Sequence, residues 1–163
     1  MKRPFWIAAA IAILVIAADQ LSKWWAIANL SDGQVVPVIG DFIRFQLVYN
    51  PGAAFSIGEG FTWIFAIIAA GVVVAVIWFA WKVTSPIWTV VLGLLLGGAL
   101  THLGDRLFRP PSFAQGHVVD FIAYGNFFIG NVADIVIVLS AIGAAVLVLM
   151  RVPTGRPVVV AES

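Results

Sequence analysis

The chain has 163 residues, of which 62% are hydrophobic and only 10% charged, with a formal net charge of +1 and no cysteine. Soluble domains carry about 25% charged residues, so a mean hydropathy of +1.05 marks an integral membrane protein of one domain. No basic cluster suggests nucleic acid, and without cysteine there are no disulfides, thiolate metal sites or cysteine nucleophile.

In chain order, Lys2 and Arg3 precede an uncharged run from Phe5 to Ala18. That start also resembles a secretory signal peptide, but no small-residue cleavage site precedes a soluble domain, and it reads as an uncleaved span. Asp19 and Lys23 stand four apart on one helical face, so the helix is expected to reach about Asn29. VVPVIGDFIRFQLVYN, residues 35–50, places two β-type runs around Gly40-Asp41, the signature of a two-residue hairpin turn. Ile43, Phe45, Leu47 and Tyr49 alternate there with Arg44 and Gln46, as in a half-buried strand. Asn50-Pro51-Gly52 then turns the chain toward a second apolar run. The third run ends in GGALTHLGDR, residues 97–106, and the loop FRPPSFAQG follows. HVVDFIAY, Gly125-Asn126 and FFIG read as strand, tight turn and strand. A fourth run carries Asp134 in its first turn.

Spans of about 20 apolar residues are therefore expected at about 5–29, 61–81, 86–107 and 131–150. They make one domain, 1–163, with outer segments 30–60 and 108–130 and a tail at 151–163. Lys2, Arg3, Lys82, Arg151 and Arg156 fall on the side of both termini, which the positive-inside rule makes cytoplasmic. Seven of the eight acids fall on the other side, and Glu162 alone stays inside. The fold read this way is an all-α membrane protein with four transmembrane helices.

Between residues 116 and 150 the only charged side chains are Asp120 and Asp134. An ionised Asp costs about 2.5–3.5 kcal/mol at the centre of a membrane helix. A reversal at Gly125-Asn126 folds Asp120 back over the start of the fourth span. Two carboxyls brought close share one proton, and such a pair can activate water against a carbonyl and protonate a departing amine. A structural reading stands beside it: Asn131 and Asp134 suit an N-cap and its N3 acid, and Asp120 suits a loop. His102, Asp105 and Arg106 also need partners. Asp105 beside Arg106 is a local ion pair, or Arg106 is a clamp for a peptide carbonyl or carboxylate. His102 and His117 each precede an Asp by three residues, which invites a metal reading, but there is no HExxH and no G-x-S-x-G. A proton-relay or transporter subunit would want a polar path onward to the cytoplasm, but in the first span below Asp19, along residues 61–81 and through 135–150 only Ser140 and Thr62 interrupt the apolar run.

DQLSK (19–23), NPGAAF (50–55), GGALTHLGDR (97–106), GHVVDF (116–121) and NVADIVI (131–137) together resemble the bacterial lipoprotein signal peptidases, or signal peptidase II. The resemblance runs from Phe5 to about Met150. It implies an aspartyl endopeptidase of the bacterial plasma membrane that removes the signal peptide from diacylglyceryl-modified prolipoproteins, on the amino side of the lipidated Cys. It implies Asp120 and Asp134 as catalytic dyad. Asp19, Asn50, Arg106 and Asn131 match positions that bind substrate or organise the pocket, and Lys23, Gly52, His102 and Asp105 of the same motifs join that candidate set. Arg106 and Asn50 are expected to hold substrate carbonyls. The resemblance adds a small extracytoplasmic β-cradle and a short helix near the second outer segment. It implies no metal or organic cofactor, contacts with membrane lipids, a monomer, an active site near the outer leaflet and inhibition by globomycin-type cyclic peptides. In one place this chain departs from the pattern: Thr101-His102 stands where the family reads Gly-Asn.

Overall fold

The computed structural model describes residues 3–52 and 61–155. Ala53, Ala54 and Phe55 of the NPGAAF motif, Glu59, Lys2, Arg156 and Glu162 lie outside the described residues. Four helices are long and apolar enough to cross a membrane: α1 (Arg3–Leu30), α2 (Thr62–Lys82), α3 (Pro86–Phe108) and α4 (Val132–Leu149). Pro86 sits in the first turn of α3, where its missing N–H is no loss. The outward faces are greasy; Trp63, Ile67, Val74, Trp78 and Trp81 of α2 are all exposed, as befits a surface solvated by lipid rather than water.

α3 packs against each of the other three helices. Its small residues allow this. A Cβ on Gly97 would lie 2.6 Å from the Val15 Cβ of α1, and one on Gly98 would lie 2.6 Å from Ile137 Cγ1 of α4. Larger residues would hold the helices apart. Toward the α2–α3 corner Val73, Val76, Trp88, Leu92, Leu96 and Leu147 form an apolar cluster, with Ser85 and Thr89 also buried there. The chain after α4 folds back on that corner, where Thr154 O accepts the N–H groups of Thr84 and Ser85, each at 3.0 Å.

At the opposite end stands a four-stranded antiparallel sheet in the order β1 (Val35–Ile39), β2 (Ile43–Asn50), β3 (Val118–Tyr124), β4 (Phe128–Gly130). The label all-α understates this fold, because the two hairpins merge through β2–β3 pairing into one sheet. Both turns have the expected Gly-Asx centres. Gly40 (φ 50°) and Gly125 (φ 56°) take the first central position, and Phe42 and Phe127 close the turns with N–H bonds of 3.0 Å to Ile39 O and Tyr124 O. A positive φ at that position asks for glycine.

The even alternation expected along β2 does not hold. One extra residue between Phe45 and Val48 interrupts the register; Phe45 and Leu47 pack against Leu30 and Phe121, whereas Tyr49 is 50% exposed. Between α3 and β3 the described chain makes bends and turns, with no helical element, so the short helix expected near there is not found.

Candidate active site

Two groups of carboxylates occupy the sheet end of the bundle. The first joins α1 to α3. Lys23 Nζ lies 2.7 Å from Asp19 Oδ2 and 2.8 Å from Asp105 Oδ2, and all three side chains are buried. Arg109 Nε stands 2.7 Å from Asp105 Oδ1. Gln20 completes the set, donating to Asp105 Oδ1 (3.1 Å) and accepting from Arg109 Nη2 (3.1 Å). Asp19 Oδ1 accepts the Ala133 N–H at 2.9 Å, an anion placed where the α4 dipole welcomes one. Asp105 therefore pairs with Lys23 and Arg109, and not with its neighbour Arg106. Successive residues on a helix point in different directions, whereas i and i+4 share a face.

The second group joins β3, α3 and α4. Asn131 is the N-cap of α4: its Oδ1 accepts the Asp134 N–H (3.1 Å), and Asp134 Oδ2 accepts the Asn131 N–H (2.8 Å). This reciprocal capping box fixes the Asp134 carboxyl. The other end of the same amide, Nδ2, donates to Asp120 Oδ1 at 2.7 Å. One asparagine thus bridges both acids. Asp120 Oδ2 accepts from Asn50 Nδ2 (2.9 Å), and His102 Nε2 lies 3.1 Å from Asp134 Oδ1. Burial pushes the Asp120 carboxyl up to about 6; the Asp134 charge adds to this, while the amides of Asn50 and Asn131 oppose it. The capping reading of Asn131 and Asp134 therefore holds, and the same asparagine also reaches Asp120.

Asn50 reaches Asp120 because of the extra residue in β2. Val48 pairs with Asp120 and Asn50 with Val118, so Asn50 and Asp120 are diagonal neighbours on one face of the sheet. A bulge commonly re-aims a side chain in this way. The far end of the Asn50 amide accepts the Gly52 N–H at 3.0 Å. Arg106, 5% exposed, donates from Nη1 to Asn50 O (2.8 Å) and Gly116 O (3.1 Å), and from Nη2 to Gly52 O. Both residues were expected to hold substrate carbonyls. Their described partners belong to the chain itself, and they brace the 50–52 corner against α3.

A cavity of about 550 Å³ opens beside the second group, lined by Asn50, Gly52, His102, Arg106, Asp120 and Asp134 on one side and by Phe65, Val138 and Leu139 on another. Asp19, Lys23 and Asp105 do not line it. α3 divides the two groups: Thr101, Asp105 and Arg109 line a smaller hollow beside Ile16 and Gln20, whereas His102 and Arg106 face the larger cavity. Thr101 bonds back to Gly98 O at 2.9 Å.

Sequence reading missed three contributors. Gln20 and Arg109 carried a signal in their spacing, since Arg109 follows Asp105 by four. Gly130 carried none beyond standing before Asn131. A Cβ there would lie 2.8 Å from Asp134 Oδ2, so glycine is what lets that carboxyl sit against the end of β4.

The family model of signal peptidase (SPase) II matches residues 11–151. A lipoprotein signal peptidase of Leifsonia xyli subsp. xyli is 48% identical over 135 residues, covering 82% of this chain and 62% of that protein. That of Rhodococcus jostii is 49% identical over 140 residues (86% and 71%), and that of Mycobacterium tuberculosis strain H37Rv 43% over 140 residues (86% and 67%). The chain thus spans roughly two thirds of the length of these curated relatives. A solved bacterial membrane enzyme superposes with a TM-score of 0.76 at 28% identity, covering 96% of this chain and 93% of the other. With its helices, sheet and bridged acids in place, this chain belongs to the signal peptidase II family.

Proposed function

We propose that the chain is an intramembrane aspartyl endopeptidase that cleaves diacylglyceryl-modified prolipoproteins on the amino side of the lipidated Cys, with Asp120 and Asp134 as its dyad. The observation that carries this is the Asn131 bridge: its side-chain amide donates to the Asp120 carboxyl and its backbone N–H to the Asp134 carboxyl, and both acids line the cavity. Family membership supports a peptidase acting on signal peptides, and the bridged acids supply the catalytic type.

The ionised acid takes a proton from a water molecule as that water attacks the scissile carbonyl carbon. The protonated acid gives its proton to the carbonyl oxygen. When the tetrahedral intermediate collapses, the C–N bond breaks, the nitrogen of the lipidated Cys takes a proton from the pair, and the carbonyl re-forms as a carboxyl. As the carboxyl forms, one hydroxyl of the intermediate returns its proton to the other acid, so the pair ends with one proton, as it began. Apolar walls at Phe65, Val138 and Leu139 exclude bulk water and strengthen these charge interactions. Asn50, Asn131 and Arg106 act as organisers, and the Asp19–Lys23–Asp105 group fixes the α1–α3–α4 frame. In the membrane, Lys82 and Arg151 lie on the cytoplasmic side with both termini. The sheet and dyad then belong to the outer leaflet as an extracytoplasmic cradle, where lipid surrounds a monomer of one domain.

A proton-relay role is not favoured. Ser140 donates to Val136 O at 2.6 Å and the buried Thr89 to Ser85 O at 2.8 Å, each hydroxyl turned back on the backbone four residues earlier, and Val73, Val76, Leu92, Leu96 and Leu147 form an apolar cluster beside them. The test is to replace Asp120 and Asp134 singly by Asn and follow processing of a lipidated prolipoprotein in membranes. Each variant is expected to lose at least about 10³-fold in rate. Normal processing by either one removes the dyad.

A further inference from the structure

His102 has no place in the mechanism above, yet its Nε2 touches Asp134 Oδ1 at 3.1 Å with both side chains only partly exposed. It is the one imidazole on the cavity wall, among the described residues. We propose that His102 is a positioning residue that fixes Asp134 as the charged acid of the pair and leaves the shared proton on Asp120. This rests on the aspartyl dyad proposed above and assigns its two roles: Asp134 accepts the proton of the attacking water, and Asp120 protonates the scissile carbonyl oxygen.

The asymmetry of the two carboxyls supports the assignment. Asp134 sits in the first turn of α4, where a negative charge is favoured by the helix dipole. One of its oxygens faces a backbone N–H, which can only donate, and the other faces an imidazole, which can carry positive charge. Its side chain is 34% exposed. Asp120 is 3% exposed, and its described hydrogen-bond donors are the neutral amides of Asn50 and Asn131. Burial without a hydrogen-bonded cation favours the neutral carboxyl; although the charges of Arg106 and His102 reach Asp120, burial outweighs them and its titration is displaced up to about 6.

The other charged or titratable groups do not reverse this. From α3, Arg106 spends its described bonds on the carbonyls of Asn50, Gly52 and Gly116, though it and Asp120 still feel each other's charge. From α1, Lys23 is held between Asp19 and Asp105, though its charge still reaches Asp134. From β3, Tyr124 is a neutral phenol that feels Asp134. α2 presents Phe65 and Ala69.

The experiment measures kcat and KM against pH for the full chain in lipid, using a diacylglyceryl-modified prolipoprotein peptide. The variants are His102→Asn, which keeps an amide donor but cannot titrate, His102→Gln, and the two Asp→Asn dyad variants. Removing the imidazole is expected to move the acid limb of the kcat profile upward by about one pH unit. At pH values below that limb, kcat then falls about tenfold, and KM stays within about twofold. Gln is expected to behave like Asn, which separates an effect of charge from a local packing defect. Unchanged profiles in both His102 variants, or a change confined to KM, overturn the assignment while inactive Asp variants keep the dyad standing. If either Asp variant processes normally, the dyad itself falls, and the two failures are told apart in one data set.

Discussion

Two groups of carboxylates meet different faces of α3, and they are partnered in opposite ways. Asp19 and Asp105 meet Lys23 and Arg109, two anions against two cations within 2.8 Å. Asp120 and Asp134 meet two asparagine side chains, a backbone N–H and one histidine. The first group is compensated within itself and stays away from the cavity; the second keeps an excess of negative charge and lines it. Charge balance therefore separates an arrangement that holds helices together from one that can pass a proton. The comparison also gives Arg106 its place. Although it neighbours Asp105 in sequence and shares the cavity wall with Asp120, its described bonds go to three backbone carbonyls, so it reaches Asp120 only through the longer-range field and not as an ion pair.

The sharpest way to break the comparison is to remove the cation of the first group. Lys23→Met leaves Asp19 and Asp105 buried beside each other, and removing one partner of a buried ion pair costs about 3–5 kcal/mol. A large fall in Tm of the purified protein is expected, with near-normal kcat in whatever fraction remains folded. A variant with unchanged Tm and lost turnover would place Lys23 in the chemistry instead.

The pH dependence of stability probes the second group. Asp120 stands at about 6 in the folded chain against 3.8 when free. The folded state thus binds that proton more tightly, and the stabilisation is complete below about pH 4 and lost as pH rises through about 6. The full difference is about 3 kcal/mol. The Tm of the chain is expected to fall relative to that of Asp120→Asn, which does not titrate there, as pH rises from 4 to 7. A constant difference contradicts the burial of that acid. In the proposed mechanism the same proton serves catalysis, so kcat/KM of the free enzyme is expected to decline as pH rises through about 6.

A smaller effect follows from geometry alone. Gly130→Ala puts a methyl 2.8 Å from Asp134 Oδ2 and moves that carboxyl out of line, for which about a hundredfold loss of kcat is expected. Tm should change little. Equal losses in stability and turnover would show that Gly130 serves the fold and not the acid.

How much of this was legible follows the range of the interactions. The four apolar runs announced the helices because length and composition suffice for a membrane span. Gly40-Asp41 and Gly125-Asn126 announced both hairpins because a turn is local chemistry. The Asp19–Lys23 pair was readable from its i,i+4 spacing, and Asp105–Arg109 was equally so, though the adjacent Arg106 drew attention away. The merger of the hairpins was not readable. It pairs Val48 with Asp120 across an irregular register, and no periodicity in either strand encodes that match. The contact of His102 with Asp134 was hidden for the same reason, since it depends on how α3 and α4 meet at Gly98. Asn131 was legible as a cap but not as a bridge, because its second bond reaches a different strand.

Asp120 differs from the ion-paired acids of the other group in being buried against neutral amides, and its carboxyl is displaced up to about 6. Infrared spectroscopy of the lipid-embedded chain reads it directly, through the carbonyl stretch of a protonated carboxyl in difference spectra against single variants. A band is expected that titrates away with a midpoint near pH 6, is missing from Asp120→Asn and survives in Asp19→Asn. Persistence of the band in Asp120→Asn, or its loss in Asp19→Asn, would contradict the account.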